Sequence, residues 1–584
     1  MTDGGAATRA AGGPGSTGPG AVERVREAYR RIAGADRPEV WIGLRPQAQA
    51  EAEAAEVDAR RAAGEYLPLA GTVFAVKGNI DLAGLPTTAG CPSYARLPEA
   101  DAPAVARLRA AGSVPLGTTN LDQFATGLVG TRSPYGAVRN AVDPTRISGG
   151  SSSGSAVAVA LGLVDLALGT DTAGSGRVPA ALNGVVGLKP TRGVVPTAGV
   201  VPACRSLDCV SVFARSVESA ELAYEIVADP VPVAPAPRRP GPWRVAVPPL
   251  DQLGELDEGW ATAYLAAVQR LADAGAQLLT LDLTPFSTVA QMLYQGAFVA
   301  ERYAAVGEFI EKQGDSADLD EVVRRIITAG RDVPAHLLHQ GLAELDRLRA
   351  LALAELGEAD ALLLPTTPGH PTLAEVAADP VGVNTRLGRF TNSTNLLGLC
   401  ALAVPAGEVG GLPFGVMLIG RPHTERRLGL LARQLAGAPP AAPRPGGPPG
   451  TVRLAVVGAH LSGQPLNGQL LALGAALAAR TGTAADYRLY ALDTVPAKPG
   501  LVRVAAGGAS VEAEVWELPA AGLGELTAAL PEPMAVGSVR LADGTRVAGF
   551  LCEPAALEGA EDITGYGGWR GYLAGRPLPG GAVG

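Results

Sequence analysis

The sequence lacks an excess of positive charge, a long apolar run and an N-terminal leader pattern, and each lack excludes a class of protein. Its 584 residues carry 48 basic against 57 acidic side chains, which gives no electrostatic case for binding nucleic acid or an anionic membrane. No run of about 20 apolar residues free of charges and turn formers occurs, so no membrane span is predicted. The N-terminus lacks a basic segment followed by an apolar one, so no signal peptide is predicted.

Cysteine is also scarce, which excludes a disulfide framework and a cysteine-based zinc site. The five cysteines are scattered and odd in number. Cys204 and Cys209 are close together, but no second pair completes a metal-binding pattern. This usage is typical of a reduced compartment, and a cytoplasmic location is predicted.

Composition predicts two domains with a linker between them. Residues 1–20 have no apolar period and are predicted to form a disordered tail. Alternating helix and strand patterns over residues 21–437 predict an α/β domain. The Pro-rich stretch 438–450 predicts a semi-rigid linker. Residues 451–575 predict a smaller α+β domain, and residues 576–584 a second tail.

The stretch from Ser148 to Arg177 is the most informative part of the chain. It opens with S-G-G-S-S-S-G-S, continues with an apolar run over residues 156–168, and closes with T-A-G-S-G-R. A Gly/Ser run alone is typical of a flexible linker, but a linker has no reason to continue directly into a core segment. Glycines let a backbone approach a ligand closely. The pattern therefore predicts two serine-bearing loops that face one small pocket.

Lys77 is one of only four lysines, and it ends a short strand predicted over residues 72–76. Arg cannot accept a proton at ordinary pH, whereas a desolvated Lys can lose its proton and act as a base. The alternative is a lysine whose aliphatic chain lies along the sheet edge while its amine reaches water. Lys77 alone does not decide between them.

The same stretch supplies the other parts of a serine hydrolase. A nucleophilic serine needs a base within reach and donors for the oxyanion. The turn T-A-G-S offers consecutive backbone N–H groups and ends in a serine, and Ser151 or Ser152 lies in sequence where a proton relay is needed. Residues 150–154 also fit G-x-S-x-G, but that motif requires a preceding strand, and a turn precedes it here.

Three separated motifs, K-G-N-I-D at Lys77, G-G-S-S-S-G-S-A at 149–156 and G-T-D-T-A-G-S-G-R-V-P-A at 169–180, resemble the amidase signature family. The resemblance covers about residues 22–436 and implies an α/β fold with a mixed central sheet flanked by helices. It implies Ser175 as nucleophile, Ser151 after a cis peptide bond as relay, and Lys77 as base. The implied oxyanion hole consists of the backbone N–H groups of Thr172, Ala173, Gly174 and Ser175.

Further motifs resemble the allophanate hydrolases within that family: Q-M-L-Y-Q-G-A-F-V-A-E-R-Y, G-A-H-L-S-G-Q-P-L-N and I-T-G-Y-G-G-W-R-G-Y-L. The resemblance implies that Tyr294 and Arg302 hold the substrate. Eight residues are just over two turns of the helix predicted over 286–309, so both side chains are expected on one side. The alternative is a surface Arg302 paired with an acid such as Glu301.

The second domain resembles the γ-glutamylcyclotransferase-like domain of these hydrolases. His460 is the only histidine of this domain and is a candidate for a second site, which the resemblance implies would decarboxylate the first product. The alternative is a structural histidine whose ring nitrogens form hydrogen bonds within the domain.

The resemblance implies hydrolysis of allophanate to ammonia and N-carboxycarbamate, which decarboxylates, in urea or cyanuric acid nitrogen catabolism. It implies no metal and no organic cofactor, a small-molecule substrate rather than nucleic acid or membrane, and a homodimer. The alternatives are a broader amidase, or a glutamyl-tRNA amidotransferase-like subunit, which the second domain and the Tyr294–Arg302 pair argue against. A non-catalytic scaffold is a further alternative, and the intact Lys77, Ser151 and Ser175 argue against it.

Overall fold

The computed structural model describes residues 20–436 and 451–575, apart from residues 64, 66, 230–240, 315, 317 and 495. The contacts divide the chain into two compact units between residues 441 and 442. The predicted linker, the C-terminal tail and all but the last residue of the N-terminal tail lie outside the described residues, so these three predictions stay predictions. No helix in the described part of the chain is long and apolar enough to cross a membrane.

The first unit is built on an eleven-stranded mixed sheet with the strand order β1-β3-β2-β4-β6-β5-β10-β11-β9-β7-β8. Its strands are β1 Trp41–Leu44, β2 Val73–Lys77, β3 Val114–Thr119, β4 Leu166–Asp171, β5 Val186–Lys189, β6 Cys209–Ala214, β7 Arg244–Val247, β8 Gln277–Thr280, β9 Ala361–Pro365, β10 Cys400–Val409 and β11 Leu412–Gly420. The central strands β2 to β6 are buried along their whole length, as β-branched and aliphatic runs predict.

Helices flank this sheet. Within the described residues of the first unit they are α1 Ala21–Gly34, α2 Gln47–Ala62, α3 Pro103–Ala110, α4 Ser153–Ala160, α5 Val178–Leu182, α6 Val217–Val227, α7 Trp260–Asp273, α8 Thr284–Gln295, α9 Ala300–Gln313, α10 Glu321–Thr328, α11 Ala335–Leu356, α12 Leu373–Ala378, α13 Gly382–Leu387, α14 Asn392–Leu396 and α15 Glu425–Leu435. The expected fold, a mixed sheet flanked by helices, is confirmed for this unit.

Strand direction positions the functional residues. β2 and β4 are parallel neighbours, with Val76 opposite Leu168. Their carboxyl ends therefore meet at one edge of the sheet, where Lys77 ends β2 and the T-A-G-S turn follows β4. Helix α4 begins directly after Ser151 and Ser152, and all but its last residue is buried. A buried helix is possible here because its sequence, S-G-S-A-V-A-V-A, is small or apolar on every side.

The second unit is smaller and rich in β-structure. It contains a five-stranded sheet, β13-β16-β12-β18-β17, and a three-stranded sheet, β15-β14-β19. Its elements are β12 Thr451–Val456, α16 Asn467–Ala472, β13 Ala476–Gly482, β14 Tyr487–Leu492, β15 Lys498–Arg503, β16 Glu512–Pro519, α17 Ala520–Ala528, β17 Met534–Arg540, β18 Arg546–Cys552, β19 Glu561–Asp562 and α18 Trp569–Leu573. The predicted mixture of helices and strands is found.

Two helix predictions are wrong in their extent. The helix predicted over 286–309 is two helices, because α8 stops before Gly296, where an added Cβ would strike the carbonyl of Met292. The sequence of residues 468–480 also predicts one helix, but the helix there, α16, ends at Ala472. Gly474 then adopts a positive φ of 75°, and the chain continues as strand β13.

Candidate active site

Lys77 lies at the end of β2 and is completely buried. Its Nζ donates to Ser151 Oγ at 2.8 Å and to Thr170 Oγ1 at 2.7 Å. Burial lowers the pKa of Lys77 to about 7, although the nearby carboxylates of Asp122 and Asp171 act in the opposite direction. The alternative of an amine that reaches water is therefore wrong, and the amine is suited to accept a proton near neutral pH.

The two serines that precede α4 have different partners. Ser151 follows a cis peptide bond from Gly150, and its hydroxyl meets Lys77. Ser152 instead donates to the backbone carbonyl of Thr170 at 3.1 Å and accepts from the N–H of Thr170 at 3.3 Å. Of the two serines considered as the relay, only Ser151 touches the candidate base, whereas Ser152 ties α4 to β4.

Ser175 ends the T-A-G-S turn and is 2% exposed. Among the described residues, no hydrogen bond joins its hydroxyl to Ser151. The backbone N–H groups of the four turn residues likewise donate to no acceptor in the described part of the chain, which leaves them available to an anion. Those residues are Thr172, Ala173, Gly174 and Ser175.

Position 174 of the turn can be occupied only by glycine. Its φ is 147°, and an added Cβ would collide with the Oγ1 of Thr391. The turn therefore lies directly on the buried helix α14 region, and its N–H groups have a fixed direction.

A buried ion pair stabilises the same turn. Arg177 and Asp171 are both fully buried and form two hydrogen bonds of 2.9 Å. Asp171 Oδ2 also accepts the N–H of Gly176 at 3.0 Å, and Arg177 reaches the carbonyl of Thr391 at 3.0 Å. The pair therefore braces the turn against β4 and the region before α14.

Asp122 is a buried residue that the sequence analysis missed. Its carboxylate accepts the N–H groups of Val129 (3.1 Å), Gly130 (3.0 Å) and Arg132 (3.0 Å). Its own N–H donates to the carbonyl of Ser151 at 3.1 Å. An acidic residue in the run T-N-L-D-Q-F-A-T-G was the available signal, but that run is typical of a loop and gave no indication of burial.

Tyr294 and Arg302 meet, although a helix break separates them. Arg302 is 1% exposed. Its Nη2 donates to Tyr294 Oη at 3.2 Å, and its Nη1 donates to Thr126 Oγ1 at 2.9 Å. The pairing with Glu301 that the sequence left open is wrong, because Glu301 accepts from the N–H and hydroxyl of Ser206.

Among the described residues, Asp208 and Glu301 act on Arg302 through their charge without forming a direct ion pair with it, and the buried Arg302 Nε has no hydrogen-bond partner there. An unpaired guanidinium in a buried position is costly unless an anion binds to it. Arg302 is therefore suited to bind a carboxylate, with Tyr294 beside it.

His460 lies in the second unit and is mostly buried. Its Nε2 is 3.1 Å from Gln469 Oε1, and its ring stacks on Phe550 with 4.9 Å between centroids. Burial, helped by the charge of Lys498, lowers the pKa of His460. These side chains line a cavity of about 530 Å³ whose other walls are mainly apolar. A cavity with a few polar groups is the usual form of a small-molecule site.

The chain matches two family models. The model of the amidase family matches residues 23–428, and the model of the allophanate hydrolase C-terminal domain matches residues 452–574.

Two similar sequences are yeast urea amidolyases. The protein of Lachancea kluyveri is 42% identical over 571 residues, and that of Saccharomyces cerevisiae is 43% identical over 553 residues. These matches cover 91% and 87% of this chain but only 31% and 30% of the relatives, so the chain spans about a third of their length. A solved structure of Kluyveromyces lactis allophanate hydrolase is similar with a TM-score of 0.72 and 39% identity. That match covers 95% of this chain and 97% of the other.

Proposed function

The chain belongs to the amidase family and carries an allophanate hydrolase C-terminal domain, and from this premise we propose that it hydrolyses allophanate, the N-carboxylate of urea. Family membership confirms the resemblance found in the motifs, and it identifies the chain as an amidohydrolase. The observation that carries the choice of substrate is the buried Arg302 guanidinium, which forms no direct ion pair with a carboxylate of the described residues and whose Nε has no hydrogen-bond partner there. Allophanate brings a carboxylate of suitable size on the same small molecule as the amide to be cleaved.

In the proposed first half-reaction, Ser175 Oγ attacks the carbamoyl carbon. Its proton passes to Ser151, whose own proton passes to the neutral amine of Lys77. The 2.8 Å contact places Lys77 Nζ and Ser151 Oγ within reach of a proton transfer, and the lowered pKa of Lys77 favours the neutral amine as the acceptor. Since no hydrogen bond joins Ser151 to Ser175 in the structure, the two hydroxyls must approach each other when substrate binds.

The negative charge that develops on the carbonyl oxygen is stabilised by the free N–H groups of the turn that ends in Ser175. The proton held by Lys77 returns through Ser151 to the amide nitrogen, and ammonia leaves. A water molecule then attacks the carbonyl carbon bound to Ser175, and its proton passes through Ser151 to Lys77. Release of N-carboxycarbamate returns that proton to Ser175 and regenerates its hydroxyl. No step requires a metal or an organic cofactor.

Arg302 binds the substrate carboxylate in this proposal, and Tyr294 orients the guanidinium through its hydroxyl and its ring face. The Arg302 Cζ lies 5.1 Å from the centroid of the Tyr294 ring. A charge-assisted contact in a desolvated site favours a carboxylated amide over a neutral one. A broader amidase and a glutamyl-tRNA amidotransferase-like subunit remain the alternatives, and the match over residues 452–574 favours neither.

The test is ammonia release from allophanate, biuret, malonamate and asparagine at equal concentrations. We expect the highest kcat/KM for allophanate, and more activity on malonamate, which keeps the carboxylate, than on biuret. A preference for asparagine or biuret would contradict the choice of substrate and favour a broader amidase.

The second unit acts on the product in this proposal. His460, held by Gln469 and stacked on Phe550, holds N-carboxycarbamate in this cavity while its nitrogen takes a proton from solvent and carbon dioxide leaves. We expect His460→Ala to leave ammonia release from the first step unchanged, because that step uses residues of the first unit. Carbon dioxide release is then expected to lag behind ammonia release. Equal rates of both in His460→Ala would contradict this role.

A homodimer and a cytoplasmic location complete the proposal. Family membership supports the dimer, and light scattering of the purified protein tests it. All five cysteines are buried and unpaired, which supports a reducing compartment. Fractionation of cells that express the full chain tests the location.

A further inference from the structure

We propose that Thr126 is a positioning residue that fixes the direction of the Arg302 guanidinium, and that the segment 122–126 sets the spacing between the carboxylate anchor and the serine centre. This inference rests on the proposed function and adds to it a residue that determines specificity. Thr126 is 1% exposed and lies in a turn between β3 and α4.

The hydroxyl of Thr126 is oriented for this task. It donates its proton to the carbonyl of Phe124 at 3.2 Å. A hydroxyl has one donor and two acceptor sites, so the proton is occupied and the lone pairs face the Arg302 Nη1 at 2.9 Å. A neutral acceptor can hold a guanidinium in place without cancelling the charge that the substrate needs.

The backbone before Thr126 is held in a conformation that costs free energy. Phe124 and Ala125 have φ values of 48° and 53°, which non-glycine residues seldom adopt. Such a conformation persists only where the surroundings enforce it. The Phe124 N–H donates to the carbonyl of Ala89 at 2.8 Å. Its ring packs edge-on against Tyr94 and Phe309, with centroid distances of 5.3 Å and 6.0 Å.

The same contacts join the segment to the helix that carries Arg302. Phe309 follows Arg302 by seven residues on α9, two helical turns further along. Gln123 binds the segment that follows α9: its Nε2 donates to the carbonyl of Asp318 at 2.6 Å, and its Oε1 accepts the N–H of Asp320 at 3.0 Å. Two residues just before Thr126, Gln123 and Phe124, therefore fix the segment to α9 and to the chain that follows it.

The other end of the segment meets the serine centre, where the Asp122 N–H donates to the carbonyl of Ser151 at 3.1 Å. Five residues thus connect the backbone of Ser151 with the guanidinium of Arg302. A short, clamped connection of this kind selects substrates whose carboxylate and scissile carbonyl are separated by one fixed distance.

The experiment compares Thr126→Val, which keeps the shape and removes the acceptor, with Thr126→Ser, which restores it. The steady-state constants are measured with allophanate and with biuret. We expect Thr126→Val to raise KM for allophanate about tenfold with kcat within about threefold, and to change kcat/KM for biuret less than about threefold. Thr126→Ser is expected to stay within about threefold of wild type on both substrates.

Thr328→Val is the matched control, because in the described part of the chain the Thr328 hydroxyl bonds only to backbone carbonyls of its own helix α10. Thermal unfolding of each variant separates a folding defect from a binding defect, and Thr126→Ala provides a second removal of the acceptor. An unchanged KM for allophanate in both Thr126→Val and Thr126→Ala, or equal losses on allophanate and biuret, would overturn the inference alone. Wild-type protein that releases no ammonia from allophanate would overturn the proposed function, and this inference with it.

Discussion

Replacing Lys77 by methionine is predicted to abolish activity and to stabilise the first unit, most strongly at low pH. Burial lowers the pKa of Lys77 from its ordinary 10.5 to about 7. Below pH 7 the folded protein must bury an ammonium ion, so its full cost, roughly 5 kcal/mol, acts against folding. As the pH rises through 7 towards 10.5, the folded state has lost this proton while the unfolded state still holds it, and the cost fades. Methionine has a similar shape and no such cost.

The magnitude follows from the two pKa values. Between pH 6 and pH 9 the free energy of unfolding of wild type should rise by roughly 3 kcal/mol relative to Lys77→Met. Urea unfolding of both proteins at these two pH values measures this difference. Lys312→Met is the control, because the Lys312 side chain is 76% exposed and has no burial cost to lose. The kcat/KM of wild type should rise about tenfold from pH 6 to pH 8, as Lys77 loses its proton, and then level off up to pH 9.

A stability difference between wild type and Lys77→Met that does not change with pH would refute the reasoning. It would mean that Lys77 keeps its proton in the folded protein near neutral pH, and the amine would then be unable to act as the base. An active Lys77→Arg variant would lead to the same conclusion, since a guanidinium cannot accept the proton.

Three further predictions concern the serine centre and the substrate anchor. Ser151→Ala should lose at least about a thousandfold in kcat. Ser152→Ala should lose about tenfold or less, together with some stability, because the Ser152 hydroxyl bonds backbone groups. The reverse order of losses in a rate assay would assign the relay to Ser152 instead. Arg302→Ala should lower kcat/KM for allophanate roughly 30- to 1000-fold and that for biuret by about tenfold at most, and equal losses would make Arg302 structural. Gly174→Ala should remove activity on both substrates, because its Cβ would collide with Thr391 and displace the oxyanion donors; full activity in this variant would exclude the turn as the oxyanion hole.

The meeting of Lys77, Ser151 and the T-A-G-S turn at one place was largely predictable because these residues lie in short, local patterns. The Gly/Ser turns, the small-residue helix α4 and the lone lysine after a buried strand each have a physical signature in a few consecutive residues. Parallel pairing of β2 and β4 then brings Lys77, Ser151 and the T-A-G-S turn to one edge of the sheet. The strand and helix patterns that flank them were sufficient to predict the fold class.

Contacts between distant segments were not predictable in the same way. The bond between Thr126 and Arg302 joins residues 176 positions apart, and nothing in either local pattern indicates it. The break at Gly296 was missed because the apolar period continues across it, whereas in the structure α8 ends there because Gly296 adopts an extended backbone. Glu301 lies beside Arg302 in sequence, yet the helix directs its carboxylate to Ser206.

The role of Ser175 as the nucleophile is tested by the initial rate of ammonia release from allophanate, measured side by side for wild type and Ser175→Ala. The variant should fold as wild type does, since Ser175 lies in a turn where alanine fits and its hydroxyl makes no hydrogen bond among the described residues. We expect ready release by wild type and a loss of at least about a thousandfold in Ser175→Ala. A Ser175→Ala protein within about tenfold of wild type would contradict this role.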